Sequence, residues 1–268
     1  MSRYEAMFKN LENKKAAFIP FVMLGDPSLA VSKKIILQLI NSGADALELG
    51  IPFSDPIADG PVIQKATLRA LKNHIPIKNI FNLIAEIRSI HQEIPIGILT
   101  YANLVYKNNI DFFYETATKS GVDSVLIADL PLLEAKTFVH IALKNHIDPV
   151  FIAPTNISEQ RIKEIASLGK GYTYVVSRDG VTGASNDLEF KSQHIINLLQ
   201  KYNAPPAVFG FGIHSAEQVK QAIAQGGKGV IIGSKITSII EENLYNEDIL
   251  LKELDIFIKK INRATLNF

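Results

Sequence analysis

The stretch LELGIPFSDPIADGP, residues 47–61, joins a short apolar run to an acidic loop. Residues 44–50 have the length and composition of a strand, yet they carry a carboxylate at Glu48. Side chains alternate along a strand, so if Leu47 and Leu49 face a helix layer, Ala46, Glu48 and Gly50 face the opposite side. In a closed barrel that side is the axis. The loop that follows adds Asp55 and Asp59, fenced by Pro52, Pro56 and Pro61. Their fixed φ removes many alternative loop shapes.

Outward from this stretch the pattern repeats. Eight apolar runs read as strands: 17–25, 44–50, 94–101, 121–129, 148–154, 171–177, 206–212 and 229–234. Between them lie amphipathic segments such as LAVSKKIILQLINSG and IKNIFNLIAEIRSIH, with apolar residues at helical spacing. SAEQVKQAIAQGG opens on a Ser N-cap, places Glu217 in its first turn and ends in Gly. Alternating strands and helices imply a parallel sheet with right-handed crossovers. Eight repeats close most simply into a (β/α)8 TIM barrel, an α/β fold whose chemistry sits at the C-terminal ends of the strands. An open doubly wound sheet is the competing arrangement. No linker divides the sequence, so one barrel domain is expected over 1–268. Tyr4 to Leu11 is expected to form an extra N-terminal helix across the barrel bottom, and 245–263 the last helix.

The 268-residue length suits a single barrel. Lys and Arg number 28 against 27 Asp and Glu, a net charge of 28 − 27 = +1. That balance gives no general attraction to nucleic acid or an anionic membrane. The absence of cysteine excludes disulfides, thiolate nucleophiles and Cys-bound metals. MSRYEAMFKNLENKK lacks the apolar core of a secretory signal, and no apolar run approaches the ~18 residues of a membrane span. A cytoplasmic protein with a small-molecule substrate is expected.

A carboxylate inside the barrel is costly unless it is paired, protonated or functional. Desolvation raises its pKa, which suits a group that both gives and takes a proton near neutrality. A structural Glu bonded to backbone amides or a lysine is the plain alternative for Glu48. For Asp59, and more strongly for Asp55, it is a turn-forming role. At the other end of the sequence three junctions are glycine-rich: SRDGVTGAS (177–185), GFGIHS (210–215) and IGSKI (232–236). Barrels often hold phosphate on the loops after strands seven and eight, where backbone amides converge at a helix start. Gly212, Gly233 and Ser234 fit that use, with Gly183 adding an amide from the sixth loop, where Gly180 and Gly183 could let the loop close as a lid.

No strand candidate contains the inward lysine of a Schiff-base aldolase. The six histidines, at 74, 91, 140, 146, 194 and 214, all fall outside the strands and form no ligand pattern with the carboxylates. GFGIHS lacks the third Gly of a dinucleotide fingerprint. Metal-free, cofactor-free acid–base chemistry on a phosphorylated small molecule is what remains.

LELGIPFSDPIADGPVIQKA resembles the signature segment of the tryptophan synthase α subunit family. The similarity runs essentially end to end, through RYEAMF, PFVMLGDP, YANLVY, DSVLIADLP, GYTYVVSRDGVTG and GFGI. The resemblance implies a lyase that splits indole-3-glycerol phosphate into indole and glyceraldehyde 3-phosphate. It makes Glu48 the acid/base and Asp59 the acceptor of the indole N–H. Phosphate binding is carried onto Gly183, Gly212, Gly233 and Ser234. Phe21, Leu99, Leu126, Ala128, Ile152, Tyr174, Phe211 and Ile231 become the indole pocket, residues that otherwise read as ordinary strand core. Thr182 becomes the lid threonine that orients Asp59. The family works as an α2β2 heterotetramer in which indole passes to a β subunit. Pyridoxal phosphate is expected only in that partner, with no cofactor in this chain. Pro52, Asp55 and Arg178 resemble contact and communication positions. Thr100, Asp179 and His214 depart from the family pattern. A catalytically silent activator of a β subunit is the rival reading, as is another phosphate-binding barrel of aromatic amino-acid synthesis; both intact carboxylates oppose the first, and the missing inward lysine opposes an indoleglycerol-phosphate synthase.

Overall fold

The computed structural model describes residues 1–11, 16–107, 109–176 and 186–266. Eight parallel strands close on themselves in sequence order: β1 (Ala17–Met23), β2 (Leu47–Gly50), β3 (Ile96–Thr100), β4 (Ser124–Ile127), β5 (Asp148–Ala153), β6 (Thr173–Val176), β7 (Ala207–Gly210) and β8 (Gly229–Ile232). β8 pairs with β1 through Ala17 opposite Gly229, which closes the ring and excludes the open sheet. All eight strand readings hold, each trimmed at one or both ends.

The helices are α1 (Arg3–Asn10), α2 (Leu29–Asn41), α3 (Pro61–Lys72), α4 (Ile77–Ile90), α5 (Ala102–Tyr106), α6 (Ile110–Lys119), α7 (Ala135–Lys144), α8 (Glu159–Leu168), α9 (Asn186–Lys201), α10 (Ala216–Ala224), α11 (Ser234–Glu242) and α12 (Glu247–Ala264). Alternation is therefore not strict: β2, β3 and β8 are each followed by two helices. The sequence reading treated the start of α3 as loop. Its signal was Gly60 as N-cap and Pro61 at the first helical position, where a missing N–H costs nothing. Ser28, Ser158, Ser215 and Asn246 cap other helix starts with their side chains.

Two apolar cores follow from strand alternation. Leu47, Leu49, Ile96 and Ile98 face outward against the helices, with Ile35, Leu39, Ile84 and Leu254. Ala46, Phe21, Leu126, Val150 and Ile231 face inward. The bottom of the inner core is plugged by α1. A capping box between Ser2 and Glu5 starts this helix, and its Tyr4 is fully buried among the inward residues. The Tyr4 hydroxyl lies 3.0 Å from Ser124 Oγ. A Cβ on Gly97 would fall 2.8 Å from that hydroxyl, so glycine at this point of β3 makes room for the plug. Arg3 and Arg88 then fasten α1 and α4 to Asp123 at 2.8 and 2.6 Å. Among the described residues no helix is long and apolar enough to cross a membrane.

Candidate active site

Glu48 points to the barrel axis, as alternation required. It is 1% exposed, and its strand neighbours across the sheet are Phe21 and Gly97. The Tyr172 hydroxyl donates to Glu48 Oε1 at 2.8 Å. Tyr172 in turn packs its ring against Tyr4, 5.4 Å between centroids. Burial pushes the Glu48 carboxyl up to about 7; the Tyr172 hydrogen bond opposes this, and the charge of Asp59 adds to it. Such a group exchanges a proton near neutral pH without a large driving force either way.

Asp59 sits immediately before α3. Its amide donates to the Pro56 carbonyl at 3.1 Å, and Gln64 Nε2 reaches its carbonyl at 2.8 Å. Its carboxyl is pushed up to about 6 by burial, against a hydrogen bond from Tyr101. Asp55, by contrast, is exposed and held by Ser54 Oγ at 2.5 Å, a local loop contact in keeping with the turn role.

Glu48 and Asp59 share one cavity of about 570 Å³. Its walls include all eight expected indole-pocket residues: Phe21, Leu99, Leu126, Ala128, Ile152, Tyr174, Phe211 and Ile231. Gly212, Gly233 and Ser234 line the same cavity. Thr182, Gly183, Arg178 and Asp179 lie outside the described residues. Among the described residues no lysine, arginine or histidine lines the walls, so an anion there meets amides and helix dipole. α11 supplies them: its N-cap is Gly233 with no side-chain cap, leaving first-turn N–H groups open. A Cβ on Gly233 would come within 2.9 Å of Phe21 Cδ1, so the close fit of strand eight against Phe21 requires glycine.

The adjacent wall, after β7, carries backbone strain. Phe211 has φ +60° and Gly212 φ +89°. A left-handed phenylalanine is rare and concentrates at functional sites. The Phe211 amide donates to the Tyr174 hydroxyl, and Gly210 beneath it has no room for a Cβ, which would clash with the Tyr174 ring. Of the three departures from the family pattern, His214 is exposed and its Nδ1 lies 3.0 Å from the Gly212 carbonyl, off the cavity wall. Thr100 is buried and its hydroxyl has no hydrogen-bond partner.

Tyr172 and Tyr101 were not among the expected site residues. The signal that could have found Tyr172 is its alternation with Tyr174, which puts two phenols on one face of the strand.

A family model described as tryptophan synthase alpha chain matches residues 7–266. The chain belongs to the tryptophan synthase alpha chain family. A curated tryptophan synthase alpha chain of Francisella tularensis subsp. tularensis is 51% identical over 267 residues, 99% of each chain. Among solved structures, the tryptophan synthase subunit alpha of Legionella pneumophila is 30% identical at TM-score 0.88, covering 99% of this chain and 98% of that one. A chain from a study of mutual activation of the tryptophan synthase a2b2 complex of Pyrococcus furiosus is 32% identical at TM-score 0.82, covering 92% and 98%. As a member of that family, the chain forms a closed eight-stranded barrel in which Glu48 and Asp59 line one cavity.

Proposed function

We propose that this cavity performs the α reaction of tryptophan synthase, with Glu48 as the acid/base and Asp59 as the indole N–H acceptor. The observation that carries the reading is a carboxyl 1% exposed, bonded among the described residues by a phenol and held near pH 7, sharing an apolar cavity with a second carboxyl. Protonated Glu48 gives its proton to the indole carbon that bears the glycerol phosphate side chain. Positive charge moves to the ring nitrogen, where ionised Asp59 accepts the N–H and stabilises it. The Glu48 carboxylate then takes the proton of the C3′ hydroxyl. The carbon–carbon bond breaks, its electron pair restores the indole ring, and glyceraldehyde 3-phosphate leaves. Apolar walls hold the ring, while Gly212, Gly233 and Ser234 hold the phosphate; Gly183 and Thr182, expected to serve the phosphate and Asp59, lie outside the described residues.

The reaction needs no cofactor in this chain, and pyridoxal phosphate belongs to the partner. The solved Pyrococcus furiosus relative is an a2b2 complex, and the same assembly fits this chain. Ile57, Tyr106 and Leu133, in the segments after β2, β3 and β4, are 81%, 57% and 72% exposed. Apolar side chains gathered on the mouth face suit a covering β subunit, to which Pro52, Asp55 and Arg178 contribute contacts. One barrel domain over 1–268, working in the cytoplasm, completes the reading.

The test is indole release from indole-3-glycerol phosphate, with and without a β subunit, for wild type and Glu48→Gln. The expected result is a wild type sped up by the β subunit and a folded variant slowed by ~10³-fold or more. Full activity in the variant overturns the Glu48 assignment; equal wild-type rates with and without partner overturn the activation.

A further inference from the structure

Tyr101 follows β3 directly and lies behind Asp59, outside the cavity walls. Its side chain is buried, 2% exposed. Its ring stacks on Phe53 from the loop after β2, 5.1 Å between centroids and 28° between planes. Its hydroxyl accepts the Ala58 N–H at 3.2 Å, which sets it beside the Asp59 carboxyl, close enough for each group to shift the other's pKa. A phenol has one proton. Because the backbone N–H already occupies an acceptor position of the oxygen, that proton is free to point at the carboxylate. Two contacts thus tie the loop after β2 to the end of β3 through one side chain, a ring stack and an accepted amide, and they leave the hydroxyl proton beside Asp59.

We propose that Tyr101 is a positioning residue for Asp59, which aims the carboxylate at the indole N–H and keeps it ionised. This rests on the reading of Asp59 given above. Among the described residues the groups that face Asp59 are Glu48 from β2, Tyr174 from β6 and Tyr101 itself. Asp129 stands behind Tyr101, its carboxylate engaged by the Ala102 amide at 2.8 Å. None of these is a cation, so the Tyr101 proton is the described contact that favours ionised Asp59. Burial and the adjacent Asp59 push the Tyr101 phenol up, so it stays a donor throughout the working range. A hydrogen bond to a charged form lowers that group's pKa; removing the hydroxyl raises it.

Tyr101→Phe keeps the ring and its stack and deletes only the hydroxyl. The expected result is a kcat lowered about 10-fold at neutral pH. The acid limb of kcat/KM moves to higher pH, and binding of the product glyceraldehyde 3-phosphate stays unchanged. Carboxyl ¹³C NMR, with the Asp59 signal assigned by its loss in Asp59→Asn, should show Asp59 titrating at higher pH in the variant. Replacing Tyr101 by 3-fluorotyrosine, a stronger donor that keeps the full side chain, should move the acid limb the other way. A folded Tyr101→Phe whose acid limb and Asp59 titration match wild type overturns the proposal. So does a fluorotyrosine protein with an unmoved limb, which also decides the matter if the phenylalanine variant does not fold. Asp59→Asn with full activity would instead overturn the reading of Asp59, and the NMR titration then still reports whether Tyr101 holds that carboxylate.

Discussion

The two ends of the barrel treat their buried polar groups differently. At the bottom, Asp123 accepts Arg3 Nη1 at 2.8 Å, Arg88 Nη2 at 2.6 Å and the Ile96 amide at 2.8 Å. Arg88 spends its other donors on the carbonyls of Gly121, His91, Gln92 and Ile94. Each member of that cluster has a partner of opposite sign. At the mouth, Glu48 has a phenol and Asp59 has a phenol, and the described walls around them carry no cation. Burial alone does not mark the difference. Asp148 at the bottom is also pushed up to about 6 by burial, but it does not line the cavity of Glu48 and Asp59. What distinguishes the mouth is an uncompensated carboxyl that a ligand can reach. Compensated charge fixes the fold; uncompensated charge does the chemistry.

The comparison makes predictions that can break it. Asp59→Asn should cost the α reaction about 100-fold, since a neutral amide cannot stabilise a protonated ring nitrogen. It also removes the negative neighbour that raises Glu48. Glu48 must start protonated, so activity falls as pH rises through its pKa of about 7, and the variant's residual alkaline limb should move to lower pH. Wild type should show a narrow bell, falling on the acid side as Asp59 takes a proton near pH 6, the two limbs belonging to the pair rather than to single residues. An alkaline limb that stays in place in Asp59→Asn would mean the carboxyls do not sense each other.

At the bottom the opposite result is expected. Asp123→Asn leaves Arg88 and Arg3 without their counter-charge, and should destabilise the fold by about 3 kcal/mol while activity per folded molecule is unchanged. Thermal unfolding and a rate normalised to folded protein measure both; lost activity at wild-type stability would erase the distinction between the ends. The smallest effect is expected where the ends meet. Tyr172→Phe removes the donor that favours ionised Glu48, so the alkaline limb should move to higher pH with kcat changed only a few-fold. A limb moving to lower pH would show that the phenol stabilises the protonated carboxyl instead.

The barrel was legible because eight β-branched and apolar runs each had helical stretches between them. Glu48 was legible because a charge in an apolar strand has few structural excuses. Tyr101 and Tyr172 were not, because a tyrosine at a strand end looks the same whether its hydroxyl faces a carboxylate or packing. α3 was hidden by the prolines before it, which read as loop until Pro61 is seen as a helix start. The cavity walls were separated from ordinary core by resemblance alone, since Leu99, Leu126 and Ile231 differ from their outward neighbours only in facing a cavity.

The open first turn of α11 has a consequence for mutational tolerance and for salt. A phosphate gripped by main-chain amides depends on no side chain that a codon change can delete. Among the described residues the grip has no lysine or arginine to lose, so neutralising substitutions nearby should leave it standing. Added ions compete with it less than they would with a cluster of exposed charges. Its weak point is the absence of an atom. Any side chain at Gly233 pushes on Phe21, and the residue least able to change is the one that contributes nothing but space.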